Sequence, residues 1–103
     1  MKCQYDIELD VPLGLRRGTM QFENKEGAVC GIMNILGCDS EFSGFIQGNE
    51  IEVSGELKTS VRNIAYQGTG TINEKRIYMQ LRSGKKIYEL TGYCSQKREA
   101  VQS

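Results

Sequence analysis

Apolar and polar residues alternate along most of this chain, and turn-forming residues interrupt the alternation at short intervals. The first segment places Tyr5, Ile7 and Leu9 on one parity and acidic residues on the other. A period of two residues is typical of a β-strand with one buried face and one face in water. The alternation predicts eight strands: Lys2–Val11, Leu15–Asn24, Ala28–Leu36, Glu41–Gln47, Glu50–Lys58, Val61–Asn73, Arg76–Ser83 and Lys86–Tyr93.

The breaks between these strands are short and rich in Gly, Asn, Asp and Ser, which are favoured in turns. Short connections between successive strands produce hairpins, so we expect an antiparallel meander without crossover helices. Because no segment is left over to cover a flat sheet, the sheet is expected to close on itself. The sequence therefore predicts an all-β fold, a closed eight-stranded up-and-down barrel over residues 1–94, with a polar tail at residues 95–103.

A short motif, Gly-x-(Met/Ile)-(Gln/Asn), recurs along the chain. It begins at Gly18, Gly31, Gly44 and Gly70, with spacings of 13, 13 and 26 residues that match the rhythm of a strand plus a turn. Glycine inside a strand has two interpretations in a small barrel. It lets the strand coil sharply, or it leaves interior volume for a ligand. The sequence favours curvature and leaves the second interpretation open.

The segments Gly44–Gly55 and Tyr66–Ile77 resemble the repeated hairpins of small lipocalin-like (calycin-type) barrels, many of them uncharacterised bacterial proteins. The resemblance extends over about Tyr5 to Tyr93. It implies the barrel fold and, by analogy, a carrier of small hydrophobic molecules, although a few relatives by fold are cyclases. The chain departs from true lipocalins because it has no Trp, and therefore no Gly-x-Trp signature.

The predicted interior is the first candidate site, because methionines and aromatic rings form an adaptable apolar wall. Its polar groups are the hydroxyls of Tyr5 and Tyr66, which need hydrogen-bond partners when buried. We predict that this interior binds a small hydrophobic ligand. The alternative is a filled core, in which case the protein is an interaction or structural module that acts through its outer surface. The candidate ligand-binding residues are Tyr5, Met20, Phe22, Met33, Phe42, Val53, Tyr66, Met79 and Leu81.

The composition offers little for catalysis or metal binding, because the chain contains no His and no CxxC pair. The absence of His excludes Ser-His-Asp and Cys-His machineries and HExxH zinc sites. No catalytic residue, metal ligand or cofactor is predicted, and the protein is expected not to be an enzyme. A cyclase- or isomerase-like enzyme with an apolar pocket stays as an alternative. Glu89 would be its buried acid, but we expect Glu89 to face solvent.

The outer face offers two further candidates. Ile32 and Phe45 fall on the outer parity of neighbouring strands, side by side with Cys30 next to them, and predict a homodimer interface. The net charge is zero, but residues 1–56 carry a net charge of −6 and residues 57–103 one of +6.

We expect the acids of strand one to face basic residues of strands seven and eight across the closure. The alternative is an acidic wall of one copy against the basic wall of another. No nucleic-acid partner is expected at zero net charge.

The first residues contain no apolar h-region, and no apolar run approaches the roughly 18 residues of a spanning helix. We therefore expect a cytoplasmic protein without a membrane partner, secreted only if a leader has been removed. Cys3, Cys30, Cys38 and Cys94 are then expected as free thiols. A Cys3–Cys94 disulfide is the alternative, because the two ends of a closed barrel meet.

Overall fold

Eight antiparallel strands follow one another in chain order in the computed structural model, which describes residues 2–12 and 14–94. β8 pairs with β1, with Leu90 opposite Leu9, and so closes the sheet into a barrel. The predicted fold class is confirmed, and the predicted tail at residues 95–103 lies outside the described residues. The strands are β1 (Lys2–Val11), β2 (Gly14–Lys25), β3 (Ala28–Ile35), β4 (Cys38–Gln47), β5 (Glu50–Lys58), β6 (Asn63–Ile72), β7 (Arg76–Ser83) and β8 (Lys86–Cys94).

Two strand boundaries differ from the prediction by more than one residue. β4 begins at Cys38 rather than Glu41, because Leu36 and Gly37 have φ values of 58° and 78° and complete a two-residue turn. β6 begins at Asn63 rather than Val61, because the backbone of residues 59–62 folds back on itself. The Thr59 hydroxyl accepts hydrogen bonds there from the Val61 and Arg62 amides, at 3.2 and 3.1 Å.

The inward-facing residues of all eight strands form one apolar core, in which nineteen hydrophobic side chains of residues 2–12 and 14–94 are buried. Its aromatic part lies on neighbouring strands. The Tyr5 and Phe22 rings stack with centroids 6.0 Å apart, and Phe22 meets Phe42 edge to face at 6.3 Å. Burial of such side chains is the main stabilising contribution in a barrel of this size.

Around the circumference, inward-facing glycines alternate with large inward-facing side chains. Gly31, for example, lies between Phe22 on β2 and Phe42 on β4. A small residue between two large ones lets neighbouring side chains share the limited width of the interior. The alternating rows are Phe22–Gly31–Phe42–Gly55–Tyr66, Val29–Gly44–Val53–Gly68–Leu81 and Ile77–Gly92–Ile7–Gly18.

The four glycines of the repeated motif share a second property. A Cβ atom added to any of them would overlap a backbone carbonyl oxygen of the neighbouring strand, such as that of Glu52 at Gly44 and of Tyr78 at Gly70. The strands therefore approach each other closely at these four glycines, which agrees with the curvature interpretation. At Gly68 and Gly92 the Cβ would meet side-chain ends, the nearest being Leu81 Cδ2 at 2.7 Å and Ile7 Cγ2 at 2.8 Å.

We predict that Gly44→Ala destabilises the barrel by about 3 kcal/mol, because the new methyl group must displace backbone. Gly68→Ala is the matched control. Its methyl meets flexible side-chain ends, so we expect a loss of about 1 kcal/mol. Urea unfolding of both variants measures the difference. Equal losses would show that backbone approach is not what requires glycine at the motif positions.

Candidate functional site

All nine candidate ligand-binding residues lie on the interior side of the barrel, and none exposes more than 4% of its surface. Met20, Met33, Met79 and Leu81 are completely buried. A cavity that could hold a ligand would leave the atoms of its walls accessible to a water-sized group, so these side chains pack against one another rather than around a space.

The two candidate tyrosines, Tyr5 and Tyr66, differ in their hydrogen bonding, and a third tyrosine, Tyr88, is also buried in the core. The Tyr5 hydroxyl donates to the carbonyl oxygen of Asn73 at 3.1 Å, whereas the Tyr66 hydroxyl makes no hydrogen bond with the described residues. Burial raises the pKa of each to about 12, with the thiols of Cys3 and Cys94 adding to the effect at Tyr5. Both phenols are therefore neutral at physiological pH, and each is able to donate a hydrogen bond rather than act as a base.

Glu89 is exposed on the outer face, opposite Gln80 on β7 and Asp10 on β1. The expectation that it faces solvent is confirmed, so it supplies no buried acid. The buried polar side chain among the described residues is Ser40, whose hydroxyl accepts a hydrogen bond from the Lys58 amide at 2.9 Å. Ser40 was not predicted as buried because the predicted strand began at Glu41, although Ser40 shares the parity of Phe42.

Two of the acids expected to face basic residues across the closure, Glu8 and Asp10, do not lie opposite one. Asp10 lies opposite Glu89, and Glu8 lies opposite Thr91. Glu8 is instead bridged by Arg17 of β2, at 3.1 Å. The two halves of the chain differ in charge, but the register between β1 and β8 determines which side chains lie opposite each other. The alternation of apolar and polar residues does not by itself determine that register.

Ile32 and Phe45 are both exposed on the outer face, at 39% and 66%, but they are not neighbours. Ile32 pairs with Glu41, and Phe45 pairs with Ala28. Four residues of strand, roughly 13 Å, separate them along the ladder. The expectation of a side-by-side patch is therefore wrong, because the two-residue turn after Ile35 fixes a different register.

Phe45 instead forms one wall of a groove of about 700 Å³ on the outer face, which we call the β4–β7 groove. The register explains its shape, because short threonines on β6 lie between longer side chains on β5 and β7. Thr69 lies between Glu52 and Gln80, and Thr71 between Glu50 and Tyr78. Its outward-facing residues are Phe45, Gln47, Glu50, Glu52, Thr69, Thr71, Tyr78 and Gln80.

The chemistry of the β4–β7 groove combines two aromatic rings, hydroxyl and amide groups, and two carboxylates. No Lys or Arg belongs to its described lining, so the charge inside it is negative. Phe45 was identifiable from the sequence as an exposed residue, whereas the groove was not. The long–short–long pattern that creates it is visible only once the register across β5, β6 and β7 is known.

Cys3, Cys30, Cys38 and Cys94 are free thiols in the structure. Burial raises the pKa of the Cys3 thiol above its usual range, and the neighbouring Cys94 raises it further. The Cys3 thiol is therefore protonated near neutral pH and a weak nucleophile.

Comparison of the chain with models of known families, with curated proteins and with solved structures gives no match. The resemblance to lipocalin-like barrels therefore stays a prediction from the hairpin segments Gly44–Gly55 and Tyr66–Ile77. Across residues 2–12 and 14–94, no helix has the length and apolar character needed to cross a membrane.

We predict that Tyr66→Phe leaves the stability unchanged or raises it by up to about 1 kcal/mol, because it removes a buried hydroxyl without a partner in the described residues. Tyr5→Phe, the matched control, should lower the stability by about 1 kcal/mol through loss of the hydrogen bond to Asn73. Chemical denaturation of both variants tests this. A clear loss in Tyr66→Phe would mean that its hydroxyl is bonded in solution.

Alkaline pH should destabilise the protein. The pKa of the Tyr66 phenol is raised by burial to about 12, so the folded state keeps its proton where the unfolded chain has lost it. The stability is complete below pH about 10 and falls as the pH rises towards about 12. Unfolding measured across this range should show a shallower fall in Tyr66→Phe. An identical pH dependence in the two proteins would contradict the assignment.

Proposed function

We propose that this protein is a binding module with a filled core, which acts through its outer surface. The observation that carries the proposal is the closed interior. The nine interior candidates expose at most 4% of their surfaces, and large neighbouring side chains or backbone atoms occupy the space beside the inward glycines. A filled barrel then serves as a rigid support for the side chains on its outside.

The β4–β7 groove is the surface that fits this role best. Phe45, exposed at 66%, lies on one side of it and Tyr78 on the other, and aromatic rings at such positions are typical anchors of protein contacts. The carboxylates of Glu50 and Glu52 lie between them, with no cation in the described lining. The occupant with complementary chemistry is a protein segment that carries Lys or Arg beside apolar side chains.

The closed barrel also limits how such a segment is recognised. Each of the eight strands has a partner on both sides, so no strand edge is free for an incoming strand to extend the sheet. Side chains must supply the recognition, and the long–short–long rungs at Thr69 and Thr71 provide a trough in which they can lie.

We predict that a synthetic peptide of alternating Lys and Leu shifts the amide resonances of Thr69, Thr71 and Tyr78, and that the corresponding Glu-Leu peptide does not. The double variant Glu50→Lys/Glu52→Lys should weaken binding at least about tenfold, because attraction becomes repulsion. Glu41→Lys, also on the outer face but outside the groove, is the control and should bind like the wild type. Peptide-induced shifts spread evenly around the barrel would contradict the proposal.

A second copy of this chain is the other possible occupant of the β4–β7 groove. In that case the protein would form the homodimer that the sequence led us to expect. Analytical ultracentrifugation of the protein alone distinguishes the two occupants. A concentration-dependent dimer that Glu50→Lys/Glu52→Lys abolishes would assign the groove to a second copy. A monomer at all concentrations leaves it to another protein.

A second candidate function is the binding of a small hydrophobic molecule inside the barrel. The Tyr66 hydroxyl favours it, because this buried donor has no partner among the described residues and could bind a polar atom of a ligand. Native mass spectrometry of the purified protein tests it. A mass excess that disappears on denaturation, and that Tyr66→Phe reduces, would favour a carrier. A clean apo mass favours the filled-core module.

A further inference from the structure

One end of the barrel gathers the turns that follow β1, β3, β5 and β7, because successive strands alternate in direction. Three of these turns place an exposed aliphatic side chain directly beside a cation. Leu15 precedes Arg16, Val61 precedes Arg62, and Ile87 follows Lys86. The three aliphatic residues are 60%, 89% and 54% exposed. We call this surface the cationic rim, defined by Leu15, Arg16, Lys58, Val61, Arg62, Lys85, Lys86 and Ile87.

The two ends of the barrel differ in charge and polarity. Within residues 14–16, 36–38, 58–63 and 83–87, at the cationic rim, the chain has five Lys or Arg and no Asp or Glu. The nearest acids are on the adjoining strand ends: Asp10 lies opposite Leu15 and Glu89, and Asp39 follows Cys38. At the opposite end, cations and acids are mixed, with Lys25 beside Glu26 and Lys75 beside Glu74, and no large exposed aliphatic residue lies in those turns.

The cationic rim also contains a groove of about 520 Å³ between the start of β6 and the turn from β7 to β8. Three cations, Arg62, Lys85 and Lys86, belong to its lining, and Tyr88 and Ile64 form its apolar side. Arg and Lys side chains converging on one concave surface supply donors for a phosphate or carboxylate group.

We propose that the cationic rim docks on the surface of an anionic lipid bilayer. The three aliphatic side chains insert among the headgroups, and the surrounding Lys and Arg side chains bind the lipid phosphates. This differs from the sequence-based expectation of no membrane partner. The rim residues lie far apart in the sequence, and only the meander topology brings them to one end.

The side chains at the rim favour a lipid surface over a nucleic acid. A nucleic acid would also attract the cations, but its bases stack on exposed aromatic rings, and the exposed side chains beside these cations are aliphatic. Leu, Val and Ile gain most from an apolar environment, which the outer part of a bilayer provides.

The rim and the β4–β7 groove are separate surfaces. The groove lies on the barrel wall around Thr69 and Thr71, whereas the rim lies at the end of the barrel around Arg62 and Lys85. Both surfaces can therefore be occupied at once, and the lipid proposal does not depend on the function proposed for the groove.

Co-sedimentation of the whole protein with vesicles tests the proposal. We expect binding to vesicles of phosphatidylcholine mixed with phosphatidylserine and none to phosphatidylcholine alone. Lys85→Glu/Lys86→Glu should lower the partition coefficient at least about tenfold, since each cation near an anionic surface contributes about fivefold. Val61→Ser should lower it severalfold without changing the charge. All three substitutions are at exposed positions, and urea unfolding verifies that the variants fold.

Matched controls separate the rim from general charge. Lys25→Glu/Lys75→Glu makes the same charge change at the opposite end and should leave vesicle binding unchanged, because that end lies beyond the screening length of about 10 Å. Glu50→Lys/Glu52→Lys alters the peptide groove and should not reduce binding either. Absence of binding by the wild type to the mixed vesicles would overturn the proposal. Two results together would also overturn it: vesicle binding by Val61→Ser that is as tight as that of the wild type, and binding of duplex DNA to the wild type that is as tight as its binding to vesicles. The rim would then be a general surface for polyanions.

Discussion

The limited width of the barrel interior is the constraint on which the rest of this structure depends. Large side chains pointing inward from neighbouring strands cannot all occupy the same level. The chain resolves this by placing a glycine between them, as Gly31 lies between Phe22 and Phe42. The same glycines allow strands to approach so closely that a neighbouring carbonyl lies where a Cβ would be. Curvature and core filling therefore have one common cause.

Because the interior is filled, the surfaces available for binding are on the outside of the barrel. The outer face is not uniform, because the register that alternates large and small residues inside also aligns long and short residues outside. Thr69 between Glu52 and Gln80 is the external counterpart of glycine between large core residues. The ends of the barrel differ as well, since turns distant in sequence meet there. Surface chemistry in this fold follows from pairing and topology more than from any local motif.

The fold itself could be predicted from the sequence, because a period of two residues identifies strands and short turns allow only a meander. The parity of Tyr5, Met33 and Leu81 was sufficient to place them inside. Adjacency was not predictable in the same way. Parity gives the face of a residue but not its cross-strand partner, which depends on turn geometry such as the left-handed conformation of Leu36.

For this reason Ile32 and Phe45 were assigned to the correct face but wrongly to a common patch. The same turn, at Leu36 and Gly37, explains why Ser40 was not predicted as buried. The turn ends before Cys38, so β4 begins earlier than predicted and includes Ser40. The Asp10–Glu89 pair at the closure was missed because its partners are almost eighty residues apart. The grooves were invisible to the sequence analysis because each requires the register of three or more strands.

The like-charged pair at the closure has a consequence for how the barrel forms. Seven of the eight strand pairings join consecutive strands, and only that of β1 with β8 connects the two ends of the chain. Bringing those ends together has the largest entropic cost of loop closure. The local hairpins therefore form before this pairing. The carboxylates of Asp10 and Glu89 lie opposite each other at one end of the β1–β8 ladder. The hydrogen bond from the Tyr5 hydroxyl to the Asn73 carbonyl oxygen lies near the other end of that ladder. We therefore expect the junction between β1 and β8 to form after the hairpins that join consecutive strands.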